Sequence, residues 1–319
     1  MKESNTHQSP IRKSVSPEVP RVKLLPRKLA CLAITASVLL CSLAAQAQPV
    51  LKLRYGFDDA GPGTTTPSDT SGGGVAATLQ MLSYAGALTD YHGAANSGVA
   101  GAITGSRALN FSSNTRSGAN GPVAAVTNAT LGFGQVSAFT VTMWWKKLDG
   151  WQSDGFGPRM FVMGAPGFDD INTTANSMGL KYQAAGQLYF SMNTGNPTAA
   201  ATFTSDLPTN RWLFVAITYD GTNVKIYEGT DTSVSTLIST TAVSGQIIDF
   251  GSTGAICIGN RRAKTRDLDG WIDDFRFYTG AGDATFVENL RSTAAGNPPV
   301  VNNVYPDGTI LQQDRKSVV

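Results

Sequence analysis

The stretch RWLFVAITYDGTNVKIYEG, residues 211–229, decides the fold class. Phe214, Ala216 and Thr218 fall on one side of an alternating run, and Val215, Ile217 and Tyr219 on the other. A period of two is that of a pleated strand, not of a helix. Asp220-Gly221 supplies the residue chemistry of a tight reversal, and the strand pattern resumes at Val224. The stretch reads as a β-hairpin, with Trp212 and Tyr227 anchoring its packed surface.

Working outward, the same texture recurs. LKLRYGF (51–57), SAFTVTMWW (137–145), RMFVMG (159–164), GLKYQ (179–183) and GQLYFSM (186–192) precede or accompany the hairpin region, and GAICIGN (254–260) and GWIDDFRFY (270–278) follow it. Each is short, rich in β-branched and aromatic residues and bounded by turn formers. Trp144 and Trp145 are adjacent, so in a strand they face opposite sides and at least one enters a core. Only ATFVENLR (284–291) reads as a helix, of a turn or two. Residues 61–132 are rich in Gly, Ala, Ser and Thr and are expected to hold long loops. Many strands without intervening helices predict an all-β sandwich or jelly roll, with parallel α/β the weak competitor, and 48–291 fits one such domain.

The two ends differ from this body. Lys23, Arg27 and Lys28 precede an apolar run over 29–40, and Ala45-Gln46-Ala47 supplies a small-x-small cleavage site. That is the grammar of an export signal over residues 1–47, with an apolar run shorter than the ~20 residues of a membrane span. Once it is removed, no stable membrane span is expected, and the protein is placed outside the cell, on its surface or in the periplasm. Residues 292–319 contain Asn297-Pro298-Pro299 and read as a linker with a truncated or disordered tail. The body after residue 47 carries 18 basic and 21 acidic side chains, so the basic isoelectric point belongs to the leader. Nucleic acid is therefore excluded as an expected partner. Cys257 is the one cysteine left, in an apolar alternating run, which makes it a buried small hydrophobe and leaves no intrachain disulfide.

Catalytic chemistry has little material. The body holds one histidine, His92, in a loop context, and two glutamates, Glu228 and Glu288, in no acidic cluster. With one His and one Cys, a zinc site of the usual ligands is not expected. LDGWIDDFRFYTG (268–280) gathers acids, but Asp273 and Asp274 are neighbours and face opposite sides of a regular strand. The parity there is mixed: Trp271, Asp273, Phe275 and Phe277 share one side, and Ile272, Asp274, Arg276 and Tyr278 the other. A bulge would reconcile it. These features argue against an enzyme. Calcium suits the aspartate-rich loops better, with Asp58, Asp59, Asp69, Asp169, Asp170 and one of Asp273 or Asp274 as candidates. For glycan binding, WQSDGFGPR (151–159) combines an aromatic platform, Trp151, with Asp154 and Arg159 as hydrogen-bonding partners; Phe168 offers a second rim element.

These motifs together resemble the laminin-G-like, concanavalin A-like jelly-roll superfamily, in its cysteine-poor bacterial exported form. The hairpin resembles its central signature, and ICIGNRR followed by LDGWIDDFRFYTG resembles its later pattern. YGFDD with DTSGGG, SRALNF and AFTVTMWWK resemble the opening strand, the second strand and the strand that crosses the sandwich. The resemblance implies an all-β, two-sheet antiparallel jelly-roll sandwich of the concanavalin A-like kind, and structural Ca2+ near its rim, with Asp58, Asp69 and Asp274 as the nearest ligands. It implies a non-catalytic lectin-like module that binds a polysaccharide or cell-surface glycan, or adheres to a surface. A structural or protein-interaction module without a sugar site is the alternative, with a protein as partner. A degenerate polysaccharide hydrolase is a third, and the acid strand of the family's hydrolytic branches is missing.

Overall fold

The computed structural model describes residues 48–58, 68–72, 80–82, 103, 108–111, 123–126, 132–147, 157–165, 170–171, 174–184, 186–195, 198–202, 211–252, 254–263, 265–266, 268 and 270–294. The expected leader (1–47) lies outside these, as do residues 295–319 of the expected tail. Strands β1 (Val50–Tyr55), β2 (Gln80–Leu82), β3 (Leu109–Asn110), β4 (Val123–Val126), β5 (Gln135–Val136) and β6 (Phe139–Lys147) come first. β7 (Arg159–Gly164), β8 (Ser177–Ala184), β9 (Gln187–Met192) and β10 (Ala199–Thr202) precede the hairpin of β11 (Trp212–Tyr219) and β12 (Asn223–Thr230). β13 (Thr236–Ala242), β14 (Ile248–Asp249), β15 (Ala255–Ile258), β16 (Gly270–Thr279) and helix α1 (Ala284–Ala294) complete the chain order.

One seven-stranded sheet runs β1-β16-β6-β11-β12-β13, with β3 on β16 beside β1. The other runs β10-β9-β8-β7-β15-β4-β2, and β14 pairs with β5. All pairings are antiparallel. This is the expected two-sheet sandwich. Along one side the sheet edges meet, where Ser239 Oγ donates to the carbonyl of Ala200 at 2.7 Å.

The hairpin forms for the reasons its sequence gives. Asp220 Oδ1 accepts from Thr222 N (2.9 Å), Thr222 Oγ1 (2.6 Å) and Asn223 N (2.7 Å), and Gly221 takes φ +90°. Partial burial would raise the Asp220 carboxyl, but these hydrogen bonds and Lys225 outweigh it and hold it below its ordinary value. The alternation sorts β11 between two cores. Leu213, Val215, Ile217 and Tyr219 enter the large core between the sheets. Trp212, Phe214 and Ala216 face the other way, with Trp144, Tyr227, Val287 and Ala294. Trp145 joins the large core, so the adjacent tryptophans are buried on opposite faces.

Helix α1 covers that second core. Asp283 caps it by accepting from Phe286 N at 2.7 Å, as an N-cap carboxylate does. Arg291, in the last turn, is pinned by Glu288 (2.6 and 2.8 Å) and by the Thr230 carbonyl (2.6 Å). The helix reaches Ala294, three residues beyond the expected domain end.

β16 carries the bulge that its mixed parity required. Register shifts between Asp273 and Arg276, and Asp274 takes φ +46°. Ile272 before the bulge and Phe275 and Phe277 after it all enter the large core. The strand changes phase once and then keeps its apolar residues inward. Among the described residues, no helix is long and apolar enough to cross a membrane.

Candidate functional site

The outer face of the second sheet holds a row of side chains drawn from three neighbouring strands. In β7, β8 and β9, Arg159 pairs with Lys181, and Lys181 with Tyr189. Leu180 and Tyr182 enter the large core, so Lys181 between them faces outward. The same face carries Val162, Cys257 and Ala125, covered by Ile171. Ile171 lies so close to the sheet that a Cβ on Gly179 would sit 2.1 Å from its Cγ2, and glycine is what permits that approach. Cys257 is the buried hydrophobe its sequence context predicts.

Ile171 brings Asp170 with it. Asp170 takes Arg159 in a fork: Nε to Oδ1 and Nη2 to Oδ2, both 2.8 Å. Ile171 N–H donates to Oδ1 at 2.8 Å, and Arg261 Nη1 to Oδ2 at 3.1 Å. Arg159 and Asp170 are both buried. Burial alone would raise the Asp170 carboxyl; the Arg159 hydrogen bonds and charge, the Ile171 amide and Arg261 together hold it below its ordinary value. Arg159 also donates from Nη1 to the Gly157 carbonyl at 2.6 Å, which ties it to the end of the expected binding loop.

Lys181 is buried beside this pair, with its Nζ 5.5 Å from the centre of the Tyr189 ring. Burial pushes its ammonium down to about 8, helped by Arg159 and Arg266 and opposed by Asp170. Among the described residues, Arg159, Lys181 and Arg261 thus act on the Asp170 carboxylate, and Arg266 acts on Lys181. The ring of Tyr189 stands partly exposed at the side.

The expected site residues fare differently. Trp151, Asp154 and Phe168 lie outside the described residues, as do Asp59, Asp169 and His92. Arg159 is described, but as a buried anchor of Asp170 and not as an open rim donor. Asp170, expected among the calcium candidates, binds two arginines. Lys181, Tyr189, Arg261 and Arg266 were not anticipated. Their signal was an outward lysine in GLKYQ, and two arginines in ICIGNRR and KTR that read only as fold signature and loop.

The calcium candidates among the described residues are not gathered into a ligand set. Among the described residues, no three His, Cys, Asp or Glu side chains converge as metal ligands. Asp58 is exposed. Asp69 uses Oδ1 to accept Arg54 N and Ser71 N, both 2.9 Å, and Oδ2 to accept Ser71 Oγ at 2.9 Å, which ties the segment 68–71 to β1. Asp274 is buried, and its oxygens accept from Arg54 Nε and Arg276 Nε at 2.9 Å and from Arg276 Nη2. A Ca2+ at Asp274 would meet two guanidiniums, so the residues there do not fit it. Asp273 accepts from its neighbour's amide (2.7 Å) and from Ile103 N (3.0 Å).

Residues 117–287, more than half of the chain, match the family model Laminin_G_3, described as the Concanavalin A-like lectin/glucanases superfamily. No curated protein matches at a significant level. Among solved structures, the chain is similar to domain 4 of AbnA, a GH43 extracellular arabinanase from Geobacillus stearothermophilus solved with arabinotriose. The identity is 14%, the match covers 76% of this chain and 98% of that one, and the TM-score is 0.47. It is similar to the binding domain of botulinum neurotoxin DC solved with SialylT, at 17% identity over 77% of this chain and 51% of that one, TM-score 0.48. A native heptameric SAP-like pentraxin from Limulus polyphemus matches at 15% identity over 50% and 71%, TM-score 0.36.

Proposed function

The chain belongs to the concanavalin A-like lectin/glucanases superfamily, and on that premise we propose that it is an exported, non-catalytic glycan-binding module whose site is the Arg159–Lys181–Tyr189 row. The observation that carries the reading is the row itself. A partly exposed aromatic ring stands beside a buried network of hydrogen-bonding charges, on an outward sheet face, with Arg159 bonded to the Gly157 carbonyl. Sugars are bound by this combination: the apolar face of the pyranose lies on a ring, and its hydroxyls take fixed donors and acceptors. The Asp170–Arg159 fork supplies the fixity, because it holds its partners without leaving charge unpaired.

The state of the described acids supports binding without hydrolysis. A general acid must hold a proton near neutral pH, which calls for a raised carboxyl. Asp170 is lowered by its arginines, and Glu288 is lowered by Arg291 and Ser235 against the raising effect of its burial. Asp273 and Asp274 spend oxygens on amide and guanidinium donors. The leader over residues 1–47 supports export.

The test is retention of the protein on a panel of immobilised polysaccharides, beside Tyr189→Ala. The expected result is binding to at least one polysaccharide class, weakened roughly tenfold by loss of the ring, the order that aromatic contacts contribute. Retention on none of them, or unchanged binding by a folded Tyr189→Ala, would overturn the reading.

A further inference from the structure

The loop after β15 is built to a purpose that the sandwich alone does not require. Asn260 is fully buried, and its Oδ1 accepts both Arg261 N and Arg266 N at 2.8 Å. One side-chain oxygen therefore clamps the loop at two points and brings two arginines side by side. Thr265 then takes both of their side chains: Arg261 Nε donates to its Oγ1 at 2.8 Å and Arg266 Nη1 to its carbonyl at 2.7 Å. The loop is tied to the sheet on either flank. Arg159 N–H donates to the Arg266 carbonyl at 3.0 Å, and Leu268 N–H to the Gly259 carbonyl at 2.7 Å. Arg261 also reaches Asp170 at 3.1 Å, while 22% of its side chain stays in solvent, and Arg266 is partly exposed as well.

Resting on the glycan reading above, we infer that the glycan is acidic, a uronate-bearing polysaccharide whose carboxylates are read by Arg261 and Arg266 while its rings lie against Tyr189. Guanidinium is planar and forked and matches a carboxylate in a way that an ammonium does not. Here two guanidiniums have their rotamers fixed before a ligand arrives, so the ordering cost of binding is already met. The local field favours an anion too: besides burial, the charges of Arg159 and Arg266 both act against the Lys181 ammonium, opposed by Asp170. Overall charge gives no such pull, since the body after residue 47 holds 18 basic against 21 acidic side chains. Attraction of a polyanion must come from this place and not from the protein at large.

The experiment is calorimetric titration of the full chain with three uronate polymers: polygalacturonate, alginate and hyaluronan. Each is paired with its carboxyl-reduced, neutral form, and polyglutamate serves as a polyanion without sugar. At least one uronate polymer is expected to bind roughly tenfold or more tighter than its reduced form, the scale of one charge-assisted hydrogen bond. Arg266→Gln should collapse that preference, costing the acidic form far more affinity than the reduced one. Arg266→Lys should recover only part of it, because the charge returns without the fork. Tyr189→Ala should weaken acidic and reduced forms alike. Melting curves confirm that each variant is folded, and Arg261→Gln is the second variant should Arg266→Gln unfold. Equal binding of acidic and reduced polymers, or a preference indifferent to both arginines, overturns the acidic inference and leaves the glycan reading standing. Polyglutamate bound as tightly as any uronate polymer overturns both; no polymer bound at all overturns the acidic inference and leaves the glycan reading to the polysaccharide panel.

Discussion

Lys181 offers the sharpest test of the site, because its cost can be worked out in advance. Its ammonium is buried and pushed down to about 8 from an ordinary value of 10.5. At one unit per 1.36 kcal/mol, holding the charged form costs the folded state about 3 kcal/mol below pH 8. The folded value is depressed and the group is a base, so between about 8 and 10.5 the unfolded chain binds the extra proton. Stability therefore rises with pH across that window and not below it. Lys181→Met removes the charge and keeps the length of the stem. It should be more stable than the parent by up to about 3 kcal/mol at pH 7, with the difference shrinking to near zero above pH 10.5. The measurement is urea unfolding of both proteins from pH 7 to pH 10.5, with the difference taken at each pH so that all other groups cancel. A parent whose stability is flat or falling relative to Lys181→Met across the window would refute the reasoning. The same substitution should weaken binding of acidic polymers, so the stabilising change is the one that harms the site.

Other expectations follow from contacts already described. Asp170→Asn leaves Arg159 buried without its carboxylate and should cost about 3–5 kcal/mol, read as a drop in the urea midpoint. In the parent, the depressed Asp170 contributes stability that is complete above the unfolded value of about 3.9 and is lost as pH falls through the lower folded value; Asp170→Asn should lack this acid limb. Gly259 takes φ +78°, and a Cβ there would lie 2.4 Å from the Phe111 ring, so Gly259→Ala should cost about 2 kcal/mol or more in the same assay. Arg291→Ala frees helix α1 from Thr230 and Glu288. It should cost about 2 kcal/mol, and hydrogen exchange should quicken over 284–294 while β11 stays protected.

The strands were legible wherever alternation met a turn former. β11, β12 and β6 could be read down to the facing of Trp144 and Trp145, because burial on one side only imposes a period of two. β13 escaped: TLISTTA is an edge strand with a half-exposed pattern and no strong apolar face. β4 escaped too, since VAAV sits in a run of small residues that reads as loop. The site was harder. Arg159 stands out in sequence for its loop, yet its role comes from Asp170, eleven residues further along the chain. Asp274 looked like a metal ligand because carboxylates do, and nothing local revealed Arg54, 220 residues earlier in the chain, as its partner. Spacing reports on neighbours along an element; charge pairing across a sheet is set by register, which single residues do not encode.

The position of β16 has a consequence in time. Its ten residues lie between β1 and β6, one place in from the edge of their sheet, and Arg54 to Arg276 is a pairing across most of the body. The first strand made has no lasting neighbour until the last has been made, so closing the sheet means closing a loop of some two hundred residues. Such non-local pairing makes for slow folding. A chain still emerging from the ribosome would hold this sheet open at β1. The order of the strands alone thus makes its closing a late event.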